Sequence, residues 1–182
     1  MNIDNGSLLW QYLSPNQRSL YEDGKFLVND STVHTDKEPT DFSYMVFPFA
    51  KLYEGFLKQL LLDLNIISES EYYSDRFRIG KALSPTFEKH YRRSAFGQIK
   101  KRYGEELALR FWNTWKEARN LVFHYFPHNY RSLSADQAKA LINEIIQTMD
   151  MGVRHTKVRP IMDRESEFQK VGRWEYKSVN VH

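Results

Sequence analysis

A short polar run in this chain combines groups that can act on a phosphodiester. Arg119, Asn120 and His124 lie within six positions of one another, in the order R-N-x-x-x-H. Arginine carries a permanent charge and a planar set of N–H donors that matches phosphate oxygens. Histidine titrates near pH ~6.5 and can accept or give a proton. The residue types and their spacing therefore predict a site that binds and cleaves a phosphodiester.

The same run is predicted to lie near the end of a long helix over residues 105–125. At 100° per residue, Lys116 lies about 60° from Arg119, and Asn120 and His124 form an i, i+4 pair on the flank that Arg119 borders. A plainer interpretation stays open. In it, the arginine and the histidine cap the last carbonyl groups of the helix and face solvent.

A carboxylate interrupts an apolar helix face earlier in the chain. Residues 41–65 are predicted to form a core helix, because apolar residues recur there every three or four positions. Glu54 lies on that face between Ala50 and Leu57. Arg119 is the obvious cation to meet it, and breaking a fully buried pair would cost about 3–5 kcal/mol. Glu54 either positions Arg119 from the edge of the core or belongs to the active site itself.

These residues resemble the HEPN superfamily of helical ribonucleases and toxins. The run F-P-F-A-K-L-Y-E-G-F-L-K-Q-L-L-L-D-L, with R-N-L-V-F-H after it, is similar to the C-terminal HEPN domain of the RNase LS toxins (RnlA and LsoA). The resemblance covers residues 41–155. It implies that Glu54, Arg119 and His124 are catalytic, and that Asn120 is the polar residue that often follows the arginine. It also implies a homodimer in which two motifs face each other.

The resemblance predicts a metal-independent endoribonuclease, the toxin of a toxin–antitoxin or phage-defence pair. Its partners would be RNA, such as mRNA, and a cognate antitoxin protein, and it would need no cofactor. A non-catalytic HEPN-like module that binds RNA or protein is the alternative. A third class, the partner of a nucleotidyltransferase, is disfavoured because Phe126 stands where those proteins have a tyrosine. His124 and His128 have the spacing of metal ligands, but Pro127 ends the helix between them, so no metal site is predicted.

Basic side chains are concentrated between Thr86 and Arg102, where Glu88 is the only acid and Tyr91 and Phe96 are interleaved. A cationic surface with aromatic side chains can follow an RNA backbone. A solvated helix face is the alternative. Together with one lysine of the motif, the residues predicted to bind RNA are Lys89, Arg92, Arg93, Lys100, Lys101, Arg102 and Lys116.

The composition is that of a globular domain. The chain has 182 residues, 41% of them hydrophobic, and a net charge of +3, which permits nucleic-acid binding without demanding it. The absence of cysteine excludes disulfides and thiolate metal sites and is compatible with a reducing compartment. The sequence has neither a secretory signal nor an apolar run of ~18 residues, so we expect a cytoplasmic protein with no membrane partner.

The periodicity predicts an all-α fold, an up-and-down HEPN-like helical bundle with an irregular C-terminal tail. We expect a helical extension and loop over residues 1–40, the HEPN-like domain over 41–155, and a tail over 156–182. In the tail, alternating apolar residues indicate a strand or a docked segment. Trp112 and Trp115 are predicted to be core residues. Helices are predicted over residues 15–27, 41–65, 85–102, 105–125 and 134–152, with loops over 28–40 and 68–75.

Overall fold

The computed structural model of the protein describes residues 2–33, 39–88, 94–120, 122–123 and 132–160, with only the backbone of Thr32, Val33 and Asn120. This part of the chain is an all-α helical bundle without strands, as predicted. A 3₁₀ turn lies at Pro85–Phe87 and a π-helical segment at Lys116–Asn120. The described residues form eight α-helices: α1 (Leu8–Tyr12), α2 (Pro15–Val33), α3 (Ser43–Asp63), α4 (Glu69–Tyr72), α5 (Ile79–Leu83), α6 (Ala95–Tyr103), α7 (Glu105–Trp115) and α8 (Ala135–Thr156).

Helix α3 crosses the core, as its apolar periodicity predicted. It contacts α2, α4, α5, α7, α8 and the π segment. Apolar side chains along its whole length are fully buried, including Phe49, Tyr53, Phe56 and Leu60. This burial offsets the entropy of ordering a long helix. Any polar side chain that α3 carries to the surface is therefore held on a rigid element.

Helices α7 and α8 are joined by a polar cluster in an otherwise apolar interface. The guanidinium of Arg110 forms an ion pair with Glu144 at 2.9 Å and donates to Thr148 at 3.2 Å. The hydroxyl groups of Thr114 and Thr148 lie 2.9 Å apart and both residues are buried. The cluster satisfies its own buried polar atoms, so it fixes how α7 lies on α8. It thereby anchors the end of α7 from which the π segment continues.

Local capping signals placed several helix starts correctly. A capping box opens α8 close to its predicted start, where Ser134 accepts from the amide of Gln137 and the Gln137 side chain accepts from the amide of Ser134. Ser14 and Gln17 make the same exchange at the start of α2. Gly104 separates α6 from α7 with φ of 98°, a conformation that L side chains rarely adopt. The predicted separation of the helices ending at 102 and starting at 105 is confirmed.

Three predicted boundaries are wrong. Helix α2 runs on to Val33, although residues 28–33 were predicted to be loop, because packing along α3 outweighs the weak helix propensity of its polar end. No single helix spans 85–102, because Ser94 is in a non-helical conformation and caps α6. The predicted loop over 68–75 contains α4, which opens with a capping box at Ser68.

The long helix predicted over 105–125 is also wrong. Its α-helical part ends at Trp115, and Lys116–Asn120 continues as a π-helix. A π-helix bonds each residue to the fifth rather than the fourth along the chain, so it turns less per residue. The angles between side chains that were calculated at 100° per residue therefore do not apply beyond Trp115.

Several predictions concern residues outside the described part of the chain. These are His124, His128, the basic residues Lys89, Arg92 and Arg93, and the proposed strand or docked segment of the tail. Among the described helices, none combines the length and the apolar character needed to span a bilayer.

Candidate functional site

Glu54 of α3 and Arg119 of the π segment form an ion pair. Arg119 Nε lies 3.3 Å from Glu54 Oε2, and the two side chains are 39% and 29% exposed, respectively. The pairing predicted from the sequence is confirmed, although solvent reaches both groups. Lys58, one turn further along α3, adds a second cation 3.8 Å from Glu54. A carboxylate in the middle of an apolar helix is thus met by two positive charges, as its partial burial requires.

The guanidinium of Arg119 is held from two sides. Its Nε faces Glu54, and its Cζ lies 5.9 Å from the centre of the Trp115 ring, within the range of a cation–π contact. Neither Nη1 nor Nη2 of Arg119 has a hydrogen-bond partner among the described residues. Those two donors form the side of the guanidinium that binds a phosphate in a two-point fashion. Arg119 is therefore oriented by the protein while keeping donors for an incoming anion.

Trp112 and Trp115 are not core residues in the full sense predicted. Both are partly exposed and pack against the core from its surface. Their rings stack on each other, with centroids 5.8 Å apart and planes 16° from parallel. The indole of Trp115 therefore forms a wall on which Arg119 rests, in addition to covering the core.

Two concave lobes meet at this ion pair and together form what we call the groove. The first lobe has a volume of about 530 Å³ and the second of about 410 Å³. Glu54, Lys58 and Arg119 line both lobes, so they stand at the boundary between them. The first lobe is otherwise lined by Leu20, Phe47, Ala50, Lys51, Gly55 and Phe123. The second is otherwise lined by Asp75, Phe77, Arg78, Ile79, Gly80, Lys81 and Trp115.

The groove is cationic. Lys58 and Arg119 are shared by both lobes. Lys51 adds a third positive charge in the first lobe, and Arg78 and Lys81 add two more in the second. The acids among the lining residues are Glu54 and Asp75. Cations outnumber acids in this concave surface, so the field there attracts anions. Phosphate groups fit this charge and the donors of Arg119.

Sequence reasoning missed most of the groove, although part of it carried a local signal. Phe47, Lys51, Glu54 and Lys58 follow one another at i, i+4, i+7 and i+11, which places them on one face of α3. This spacing could have predicted a polar face of α3 next to the apolar face on which Glu54 was recognised. Apart from Trp115 on α7, the residues of the second lobe that are not shared come from α5 and the segment before it, and no local pattern links them to α3.

The described part of the predicted basic cluster, on α6, does not line the groove. Lys100, Lys101 and Arg102 form the last turn of α6, where cations are favoured by the helix dipole. Arg102 donates to the carbonyl of Leu64 at 2.7 Å, beyond the last residue of α3. At 1.5 Å per residue, that point is roughly 15 Å along α3 from Glu54. Arg102 therefore caps the end of α3.

The other lysines of this prediction differ in how they are engaged. Lys100 forms an ion pair with Glu105 at 2.7 Å, and this hydrogen bond raises the pKa of Lys100. Lys101 is exposed on the same turn. Lys116 is exposed on the π segment, three residues before Arg119. Lys101 and Lys116 thus keep their side chains in solvent, where a polyanion could reach them.

Asp41 connects the starts of α3 and α8, next to the segment that contains His124. Its Oδ1 accepts from the amide of Leu133 at 3.0 Å and from the amide and hydroxyl of Ser43 at 2.9 and 2.6 Å. Partial burial works to raise the pKa of Asp41, but these hydrogen bonds outweigh it and hold the pKa below its ordinary value. The ionised carboxylate therefore fixes Leu133, two residues before α8, against the start of α3.

The remaining predicted site residues stay predictions. The backbone of Asn120 ends the π segment, and His124 lies outside the described residues. Among the described residues, no group of three His, Cys, Asp or Glu side chains could hold a metal ion. Comparison of the chain with protein-family models, with curated proteins and with solved structures finds no match in any of the three.

Proposed function

We propose that this protein is an HEPN-like endoribonuclease that cleaves RNA without a metal ion. The observation that carries the proposal is Arg119, oriented by Glu54 at the boundary of two cationic lobes and within the R-N-x-x-x-H run. The resemblance to the RNase LS toxins supplies the setting. The protein would act in the cytoplasm as the toxin of a toxin–antitoxin or phage-defence pair, as a homodimer, with an antitoxin protein as its regulator.

The chemistry follows from the roles of three side chains. Nη1 and Nη2 of Arg119 hold the non-bridging oxygens of the scissile phosphate, where negative charge builds up in the transition state. Glu54 holds the guanidinium through Nε, so its orientation is set before RNA arrives. His124 accepts the proton of the ribose 2′-OH as the 2′-oxygen attacks phosphorus.

The bond between phosphorus and the 5′-oxygen then breaks. The products are a cyclic 2′,3′-phosphate and a 5′-OH, and the leaving 5′-oxygen takes up a proton. One imidazole cannot accept the first proton and donate the second at the same moment. A homodimer that places two motifs across its two-fold axis would provide two.

The test is cleavage of a single-stranded RNA by the purified full chain, with product ends identified as cyclic phosphate and 5′-OH. Arg119→Lys keeps a charge but loses Nε and the fork, so we expect cleavage to fall about a hundredfold or more. Arg154→Ala is the matched control, because Arg154 is also ion-paired but is on α8 and outside the groove lining. It should cleave at the wild-type rate.

Two further measurements bear on the mechanism. His124→Ala should abolish cleavage with helix content unchanged, and cleavage should persist in excess EDTA. Undiminished cleavage by His124→Ala would remove that histidine from the mechanism, and activity restored to an EDTA-treated sample only by a divalent ion would end the metal-free mechanism. RNA binding without any cleavage, and without toxicity on expression, would leave the non-catalytic binding module as the function.

A further inference from the structure

The first lobe of the groove contains an apolar surface that the proposed chemistry does not use. Phe47 is 56% exposed at its rim, an unusual placement for a large apolar ring. Its ring meets that of Phe123 edge to face, with centroids 5.5 Å apart and an angle of 87° between the planes. In such a pair the edge of one ring points at one face of the other, so each ring still has at least one face that its partner does not cover. The lobe thus offers an aromatic face to a ligand.

Cations border this aromatic surface. Lys51 lies one helical turn after Phe47, is exposed, and has no ion-pair partner in the described part of the chain. Lys58 and Arg119 also line the first lobe, where it meets the second. An aromatic face with several cations around it matches a nucleotide, whose base is planar and whose neighbouring phosphates are anionic. A purely apolar partner would leave Lys51 and the net positive charge of the lobe without a counter-charge.

The second lobe repeats the combination. Trp115 provides an aromatic wall, and Arg78 and Lys81 provide charge. Because Arg119 lies between the lobes, a chain that crosses the groove would place one nucleotide in each lobe and the phosphate that joins them at the guanidinium. Volumes of about 530 and 410 Å³ are in the range of small-molecule sites.

We infer that the groove binds single-stranded RNA, with one unpaired base stacked on Phe47 in the first lobe and the next nucleotide in the second. The bases of a duplex are stacked on one another and cannot offer a free face to a side chain, whereas bases of single-stranded loops and ends can. Stacking on Phe47 then selects single-stranded over double-stranded RNA. Arg119 acts on the phosphate next to the stacked base. The inference depends on the proposed function only for the choice of RNA as the nucleic acid.

The experiment measures binding apart from cleavage. A fully 2′-O-methylated oligonucleotide lacks the attacking hydroxyl, so it binds without being cut, and 2-aminopurine within it reports stacking by fluorescence quenching. The full wild-type chain should bind the single strand and quench its 2-aminopurine fluorescence. It should not bind a duplex of the same length and charge. Phe47→Leu keeps apolar bulk without a ring, and we expect it to lose most of the quenching and about tenfold or more in affinity. Phe47→Tyr keeps the ring and should retain both.

Phe26→Ala is the matched control, because Phe26 is 68% exposed on α2 and does not line the groove. Its affinity should equal that of the wild type, and thermal melting should show each variant folded. Equal binding of duplex and single strand, or equal loss in Phe26→Ala, would overturn the inference. So would displacement of the strand by an acidic peptide at matched concentration, since the groove would then be a protein-docking site.

The same data separate this inference from the proposed function. Binding that depends on Phe47, together with unmodified RNA that stays intact, would keep the inference and end the ribonuclease proposal. Cleavage that depends on Arg119 but not on Phe47, with no quenching, would keep the ribonuclease and end the inference.

Discussion

The backbone of Gly80 lies directly against the indole ring of Trp115, so closely that a Cβ atom at position 80 would overlap the ring. The same indole supports the guanidinium of Arg119 on its face. Gly80 belongs to α5 and Arg119 to the π segment, so this contact joins two elements through one aromatic side chain. The absence of a side chain at position 80 is therefore part of what positions Arg119.

The first prediction is that Gly80→Ala reduces kcat for RNA cleavage by more than its loss of unfolding free energy would explain. Overpacking of this kind costs about 1–3 kcal/mol of unfolding free energy. Displacement of Trp115 by about 1 Å would move Arg119 from the phosphate and reduce kcat by up to about a hundredfold. Single-turnover kinetics and urea unfolding measure the two effects. Gly6→Ala, at a site with ordinary space for a methyl group, is the control and should change neither.

The second prediction concerns the free energy that couples Glu54 to Arg119. A fully buried pair would be worth several kcal/mol, but both side chains are partly exposed, so solvent screens the attraction. A double-mutant cycle of Glu54→Ala and Arg119→Ala should give a coupling of about 0.5–1 kcal/mol in stability. In cleavage, Glu54→Ala should have little further effect once Arg119 is removed. Additive losses in both measurements would show that Glu54 does not act through Arg119.

The third prediction is a dependence of stability on pH that traces to Asp41. Its pKa is lowered in the folded state, so its ionised form stabilises the fold above the unfolded-state pKa of ~3.9, and that stability is lost as pH falls further. Asp41→Ala removes three hydrogen bonds to a charged oxygen and should cost about 1.5–3 kcal/mol at neutral pH.

Asn at the same position separates charge from geometry. The amide oxygen can accept from the same three donors, so Asp41→Asn should lose less stability than the alanine variant and should flatten the acid limb of the profile. Urea unfolding between pH 3 and pH 7 measures both, with Asp23→Asn as an exposed control. An acid limb in Asp41→Asn as steep as in the wild type would assign the pH dependence to other carboxylates.

The fourth prediction compares two basic surfaces by the salt dependence of RNA binding. Each lysine that contacts a phosphate should contribute about 0.7 to the slope on a single strand, so Lys51→Ala with Lys58→Ala should flatten it by roughly 1.4. Lys100→Ala with Lys101→Ala tests the α6 cluster and should weaken binding evenly across sequences without moving the cleavage position. Arg102 is left unchanged in this test, because its contact with Leu64 supports α3. If the salt dependence of RNA binding were unchanged in the Lys100→Ala, Lys101→Ala variant, these lysines would not contact RNA and would serve another partner.

The sequence alone determined the helical fold and its central element. The spacing of apolar residues in α3 and α8 is a local property, and burying such a face dominates the free energy of a helix in a protein. The capping boxes at Ser14 and Ser134 are local as well, since each uses side chains three residues apart. Glu54 was recognisable for the same reason, as a charge on a face that should be apolar, and its pairing with Arg119 followed from what a half-buried carboxylate requires.

Only the tertiary structure decided what surrounds that pair. The π segment ends the regular α-helix at Trp115, and no residue type in Lys116–Asn120 announces this change, because it depends on how the segment packs on α3, α7 and α8. The second lobe brings Arg78 and Gly80 to Trp115 across more than thirty positions of chain. Contacts between distant segments have no period in the sequence. Their free energy comes from shape and charge that exist only after the helices have packed, so the second lobe of the groove, unlike the helices, could not be predicted from the sequence.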